Sequence, residues 1–535
     1  MSARLGAEMP GPPPSPLTAQ TWLASVAAFV AAWLVIMATR YFALQAGDVN
    51  GALGVGVDSG SWLSSAYSAC EPIGVVLGSW LGMALSPRRM LLGGLVVFLA
   101  GMAIPLAAPG YETLMASRVI TGLAAGAIIP QCIVIQLQCW APARTPVAIA
   151  LFLSAPTAGL QIGGMAGAWG VEHYGWTFIL WASMPLGLLA LIAGWIGCRR
   201  EPLAWRPLIQ ADVGGLASLC AALGLFACAV SQGDRMRWFQ STTIPVLLIA
   251  SAVCLAIFLI RDWERIRHPA LSVRLYRRWN LALSAATVLS LLLAISLSAS
   301  IVPSVLAQVQ GFRPEQTAPA LWAAAWPQLP AYGVCVVVLL RNLAEARLMV
   351  ILGLATVAIG AFLDLQLTSQ WQVREFYLGQ VLQGIGLPLI GMPLIYIFTG
   401  DLRSPAEAFP AVGLLNISRV LGGTMASAWA ATSLRLGGQA KFSELASNTG
   451  FYPDGQGDTL AQLAARFAHM TTDPRLAQAQ AVQVVANAAR RQAAVLGATS
   501  TLATLAWMLF ASGVLVVLME RFGWGKAPRP NETRP

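Results

Sequence analysis

The sequence predicts an all-α membrane protein that crosses the bilayer many times. Hydrophobic residues make up 57% of the chain and charged residues only 10%, where a soluble domain carries about 25% charged. The apolar residues fall in runs of twenty or more, the length a helix needs to span a bilayer. A mean hydropathy of +0.67 agrees. These observations exclude a soluble enzyme, a disordered chain and a nucleic-acid reader with a short anchor.

Fourteen helices are expected, near residues 22–44, 62–85, 90–108, 113–138, 147–169, 176–197, 213–230, 242–260, 280–309, 317–340, 348–367, 376–399, 408–434 and 496–520. Turn residues separate them, for example Ser86-Pro87-Arg88-Arg89 and Ala141-Pro142-Ala143-Arg144. The Pro-rich stretch before residue 21 has no small-residue cleavage site after it. The run from Trp22 to Leu44 is too long for a signal-peptide core and reads as an uncleaved first span.

The net charge of +10 is a topology signal. With the N-terminus in the cytoplasm, 20 of the 33 basic residues fall in inner loops and tails. The short outer loops hold four, Arg235, Arg237, Arg313 and Arg374, and the long last outer loop holds six. Arg40, Arg118 and Arg419 lie within spans. This inside bias fits an even number of spans with both termini cytoplasmic. The expected order is a tail (1–21), a six-helix bundle (22–197), a two-helix insert with its flanking loops (198–279), a second six-helix bundle (280–520) and a tail (521–535). The outer loop 435–495 within the second bundle carries two amphipathic stretches, near 457–471 and 474–493. It reads either as a helical hairpin capping the last two spans or as a docking surface for an outside partner.

No cofactor or metal is expected. The eight cysteines lie in or beside apolar runs without a CxxC pair, and His173, His268 and His469 sit outside the spans. No GxxxxGK[ST], HExxH or GxSxG motif occurs, which argues against an ATPase, a membrane protease or a hydrolase, and against an enzyme generally.

An internal echo supports a six-plus-six duplication. Arg118-Val-Ile-Thr-Gly122 in span four matches Gln380-Val-Leu-Gln-Gly384 in span twelve, the fourth span of the second half if spans seven and eight are an insert. Such repeats are a transporter signature, with the site between them near mid-membrane.

Several motifs carry a family resemblance. Span four has Arg118, Gly122 and Gly126. Span five reads Gly159-Leu-Gln-Ile-Gly163-Gly164-Met-Ala-Gly167, followed by Tyr174-Gly175-Trp176 and Pro185-Leu186-Gly187. Span thirteen reads Leu415-Asn416-Ile-Ser-Arg419-Val-Leu-Gly422. From Trp22 to Leu518 the chain resembles the fourteen-span drug:proton antiporters of the major facilitator superfamily, the EmrB/QacA type. The resemblance implies a major facilitator fold in an inner membrane. It also implies a multidrug efflux function and, in Gram-negative members, a periplasmic membrane-fusion adaptor with an outer-membrane channel. Three places depart from the family pattern. Ala38 stands where span one usually has an acid, Gly163-Gly164 replaces Gly-Pro, and Leu85 to Arg89 lacks the usual Asp and Gly of that loop.

A charge deep in the bilayer needs a partner or water. Glu71 is the one acid in mid-span, ~14 Å from Trp62 at ~1.5 Å per residue; Asp364, near its span's outer end, is expected to reach water. Glu71 is therefore the candidate proton carrier, with Arg118 as the partner the family picture implies and Arg40 as a second one. A static Glu–Arg pair locking helices is the alternative for Glu71, and snorkelling to the outer interface is the alternative for Arg40. The candidate substrate-binding residues are Arg118, Arg419, Gln131, Gln161, Gln383, Asn416 and Tyr67, with Trp181 as a further aromatic wall. Gly159, Gly163, Gly164 and Gly167 are candidate gating glycines, since they let span five approach and slide on a neighbour. The function expected is proton-coupled export of small amphipathic compounds by alternating access, with anionic or neutral substrates favoured by the arginine excess. The alternatives are a membrane sensor or scaffold that kept the fold, or an uncoupled uniporter.

Overall fold

A computed structural model describes residues 18–203, 212–264, 279–400, 408–448, 462, 464–467 and 473–519. Among these residues the protein is all helix. The first group comprises α1 (Ala19–Leu44), the short α2 (Ala46–Leu53), α3 (Val57–Leu85), α4 (Pro87–Ala107), α5 (Tyr111–Cys139), α6 (Thr145–Tyr174) and α7 (Phe178–Gly197). Next come α8 (Val213–Gly233) and α9 (Thr243–Glu264). The last group comprises α10 (Trp279–Ser296), α11 (Pro314–Ala325), α12 (Gln328–Leu340), α13 (Ala346–Leu363), α14 (Tyr377–Gly400), α15 (Ala408–Asn448) and α16 (Pro474–Met519).

Every predicted span is helical, but the count of strongly apolar crossings differs. Twelve segments among the described residues are long and apolar enough to cross a membrane. The two outside that set are the predicted spans nine and thirteen. Span nine counts among the described residues as a shorter apolar helix, Leu283–Ser296, and after α10 come two π-helical turns, Leu297–Ile301 and Leu306–Gln310, around one α-turn, Val302–Val305, that contains Pro303. Proline lacks the amide hydrogen that a regular helix needs, and the ladder widens around it. Span thirteen is diluted by the polar residues Asn416, Ser418, Arg419, Thr424 and Ser427. The predicted span ten is also broken, at Trp326-Pro327, into α11 and α12.

Within the first group α3 packs on α5, α4 on α5 and α7, and α1 on α6 and α7. In the last group α13 packs on α14, α15 on α16, and α10 on α14 and α15. The groups meet where α6 packs on α11 and α12 and where α3 packs on α15. Of the pair α8 and α9, α8 lies against α3 and α15. Its C-terminal end is tied to both. Arg235 pairs with Asp58 (2.7 Å) next to α3's start, Gln232 donates to Ser65 on α3 (2.6 Å), Asp234 pairs with Arg435 on α15 (2.8 Å), and Trp238 donates to Thr432 on α15 (2.9 Å).

The segment before the last span departs most from expectation. α15 continues 14 residues past the predicted end at 434, and α16 joins the second amphipathic stretch to span fourteen without a break. At ~1.5 Å per residue these helices are ~62 and ~69 Å long, about twice a ~30 Å hydrocarbon core. They stay paired beyond the predicted span ends. Gly437 and Gly438 lie against Gly497, and Arg490 sits 6.0 Å from the Phe442 ring. The first amphipathic stretch, 457–471, lies mostly outside the described residues.

Candidate functional site

The site is built where α3 and α5 come closest. A side chain at Gly126 would overlap the carbonyl oxygen of Glu71 and reach 2.6 Å from the Val75 amide, and one at Gly122 would reach 2.8 Å from the Tyr67 carbonyl. The two backbones therefore touch along the turn that carries Tyr67 and Glu71. Pro72 follows Glu71 inside α3; its missing amide hydrogen would otherwise bond the carbonyl four residues back.

Glu71 leaves this ridge and crosses to the last group. Its carboxylate accepts from Arg419 Nη2 on α15 at 3.2 Å. The pair is partly watered, with side chains 13% and 28% exposed. Arg419 Nε donates to Asn416 Oδ1 (3.3 Å), and Asn416 Nδ2 donates to the Val412 carbonyl (2.9 Å). Three residues on one helical face thus aim a guanidinium at a carboxylate on the other group.

Arg118, the expected partner of Glu71, makes no contact ion pair with it but lies within its electrostatic reach. Its guanidinium lies between the rings of Phe42 and Tyr67, 4.3 Å from each centroid, and Nε donates to the Leu63 carbonyl (3.4 Å). Burial to 3% exposure leaves Arg118 Nη1 with no hydrogen-bond partner. The aromatic faces stabilise the cation at contact distance, and the Glu71 carboxylate acts on it through space. Tyr67 in turn has its hydroxyl 2.7 Å from Thr39 of α1.

Arg40 does not snorkel. It is 6% exposed, its Nε and Nη2 have no hydrogen-bond partner, and it lies by Gly164 on the α6 side of α1. Among the described residues it makes no ion pair with Glu71, which pairs with Arg419. The glycine ridge of α6 receives α1 side chains at one-turn spacing: Trp33 at Gly159, Met37 at Gly163 and Tyr41 at Gly167. Gly164 is different, because it also meets Leu321 of α11 and so touches the last group.

The remaining candidates are buried within helix packing. Gln131 donates to the Gly78 carbonyl (2.9 Å), Gln383 donates to the Ala294 carbonyl (2.8 Å), and Gln161 is buried on α6. Trp181 is not at the Glu71 site. It is 44% exposed in an aromatic cluster with Tyr174 and Phe178.

Two features were missed by sequence reasoning. Asp364, expected to reach water, is 1% exposed in a 3-10 turn at the end of α13, with Gly379 of α14 against its carboxylate. A glycine on the facing helix lets the chains close over an acid near a helix end. Gln380, the repeat counterpart of Arg118, is fully buried with neither amide atom bonded. The echo of the two segments was the available signal for Gln380. Among the described residues no three His, Cys, Asp or Glu side chains gather to hold a metal.

Comparison with known proteins agrees with this architecture. Residues 21–427 match the model of the Major Facilitator Superfamily. The chain is 24% identical over 390 residues to Multidrug export protein EmrB of Haemophilus influenzae, covering 70% of this chain and 73% of that one. It is 23% identical to Fatty acid resistance protein FarB of Neisseria gonorrhoeae, over 77% and 80%. Among solved structures, the human organic anion transporter MFSD10 superposes with a TM-score of 0.58 at 14% identity, covering 93% of this chain and 99% of that one. The family match runs from α1 into α15 and includes both residues of the ion pair, and this chain belongs to the Major Facilitator Superfamily.

Proposed function

We propose that the protein is a proton-coupled exporter of small anionic or neutral amphiphiles, working by alternating access in an inner membrane. The carrying observation is the Glu71–Arg419 pair, which joins the first helix group to the last. On this reading the groups are two six-helix bundles with α8 and α9 inserted, fourteen spans in all, and both termini cytoplasmic. The positive-inside distribution of arginines supports that orientation.

The pair acts as a lock with two keys. With Glu71 ionised and the site empty, the bridge holds the bundles together. Protonating Glu71 removes its charge and loosens the bridge. An anion on Arg419 loosens it too, while Arg118, held near Tyr67 on the same bundle as Glu71, keeps the carboxylate in a positive field. The empty, unprotonated carrier is then the state that cannot switch, and this condition makes proton and substrate exchange rather than leak. Arg118 and Arg40 supply the remaining positive charge. For unit charges 4 Å apart at an effective dielectric of 20, ~4 kcal/mol is at stake, which favours anions over cations. The names of FarB and MFSD10, a fatty acid resistance protein and an organic anion transporter, point the same way. The paired extension of α15 and α16 is proposed as the docking surface for a periplasmic membrane-fusion adaptor leading to an outer-membrane channel.

Three outcomes test this reading. In everted vesicles Glu71→Gln is expected to let substrate run down its own gradient while losing all response to an imposed pH gradient; a wild-type response would remove Glu71 from coupling, and a wild-type protein that moves no substrate would leave the scaffold role. In competition between matched aromatic acids and quaternary ammonium dyes, the acids should win. Arg118→Ala and Arg419→Ala should each weaken acid half-saturation roughly tenfold, the size of one charged hydrogen bond. Preference for dyes, with both variants unchanged, would defeat the anion assignment. Deleting 440–490 should spare membrane insertion and abolish cellular resistance, whereas full resistance from the shortened protein would leave the segment only a capping role.

A further inference from the structure

The exposed surface between α4 and α7 holds a groove of about 410 Å³. Leu92, Gly93, Val96, Ile192, Trp195 and Ile196 line it, so its walls are almost wholly apolar. Gly93 is its unusual member. Glycine inside a helix is less stable than alanine by ~1 kcal/mol, and most such glycines here are required by a close neighbour. Gly94, the next residue, would meet Ile128 at 2.8 Å if it had a side chain, whereas at Gly93 nothing of the protein lies within 4 Å. The open floor of the groove serves no helix contact.

One end of the groove is cationic. α4 starts with Arg88 and Arg89 there, and α7 ends there two residues before Arg199 and Arg200; Arg199 itself acts on Cys139 and Glu201. Arg88 bridges the helices: its Nη2 donates to the Trp195 carbonyl (2.9 Å), and its guanidinium lies 5.0 Å from the Trp195 ring centroid. Its Nε is buried without a partner. Arg88 is also within electrostatic reach of Cys198, the residue before Arg199. Arg89 turns back to the Leu85 carbonyl (3.2 Å). Glu201 offsets one of these charges through Arg199 and accepts from Gln138 (3.4 Å). The Trp195 indole is exposed at the junction of apolar groove and charged rim, the position tryptophan favours at a membrane interface.

We propose that this groove is a binding site for an anionic phospholipid, with one acyl chain over Gly93 and the phosphate on Arg88 and Arg199. A zwitterionic headgroup would bring a choline or ethanolamine cation to the same arginines, so the charge of the rim selects a net-negative lipid. Basic pockets between membrane helices recognise acidic headgroups on the same terms. The site lies on the outer surface of the first bundle, away from the Glu71–Arg419 pair, and is independent of the transport reading.

The test uses the full-length protein, purified in detergent, stripped of lipid and offered equal amounts of phosphatidylglycerol and phosphatidylcholine with identical acyl chains. Retained lipid is counted by native mass spectrometry. The unaltered protein should retain the anionic lipid roughly tenfold over the zwitterionic one. Arg88→Ala combined with Arg199→Ala should abolish the preference. Gly93→Leu should fill the groove and lower anionic-lipid retention to the zwitterionic level while every arginine stays in place. If the double arginine variant fails to fold, Gly93→Leu decides alone, because a Cβ at that position meets no protein atom within 4 Å. Equal retention of the two lipids by the unaltered protein, or anionic-lipid retention unchanged in Gly93→Leu, would overturn the site. Complete displacement of the lipid by soluble glycerol 3-phosphate would also overturn it, by showing that the phosphate binds without its chains.

Discussion

A charge inside a bilayer persists only where the fold provides it with a partner, an aromatic face or water, and this constraint organises the protein around Glu71 and Arg419. The carboxylate sits on α3 and the guanidinium on α15, 348 residues apart in sequence. Isolating either charge is costly, since breaking a buried pair by removing one partner costs about 3–5 kcal/mol. The observed pair is partly exposed, so the cost here is smaller. That intermediate environment suits a switch: a fully buried pair would hold the bundles too firmly, and a fully solvated one would contribute almost nothing.

The surrounding structure serves this placement. The glycine contacts between α3 and α5 fix the turn bearing Tyr67 and Glu71 to within van der Waals contact. Arg118, on the same pair of helices, is held by two rings and a carbonyl rather than by a carboxylate. On the other side, Asn416 orients Arg419 from one turn away. The last group is less regular than the first. The π-turns around Pro303 and the break at Pro327 leave backbone that is not locked into a continuous hydrogen-bond ladder, and irregular backbone at membrane depth is tolerated only where protein or water covers it. The turn between α8 and α9 is joined to α3 and α15 by two ion pairs, so it reinforces the contact that carries the central pair.

Much of this was legible in the sequence. The runs of apolar residues located a helix at each predicted span, although twelve rather than fourteen segments among the described residues are long and apolar enough to cross and the short α2 left no such signal. Glu71, Arg118, Arg419 and Asn416 stood out because polar residues in such runs are expensive. Pairing was not legible. The family pattern pointed Glu71 towards Arg118, and only the three-dimensional crossing of α3 and α15 assigns it to Arg419. Helix continuity was misjudged in both directions. Pro303 and Pro327 interrupted apolar runs that hydropathy alone reads as unbroken. Conversely, α15 and α16 continued through Ala- and Gln-rich sequence that is too polar for a span but has high helix propensity. Asp364 was misplaced because its burial depends on Gly379 of another helix, a contact with no local signature.

The central claim is that one ion pair between the two helix groups couples proton to substrate. The most direct measurement is transport by the charge-swapped protein, Glu71→Arg with Arg419→Glu, reconstituted in liposomes beside each single variant. Each single variant places like charges opposite one another, whereas the double variant restores an attractive pair of reversed polarity. The account predicts a pH-gradient response lost in both single variants and regained in substantial part by the double variant. A double variant no more responsive than either single one, although inserted and folded to the same extent, would contradict it.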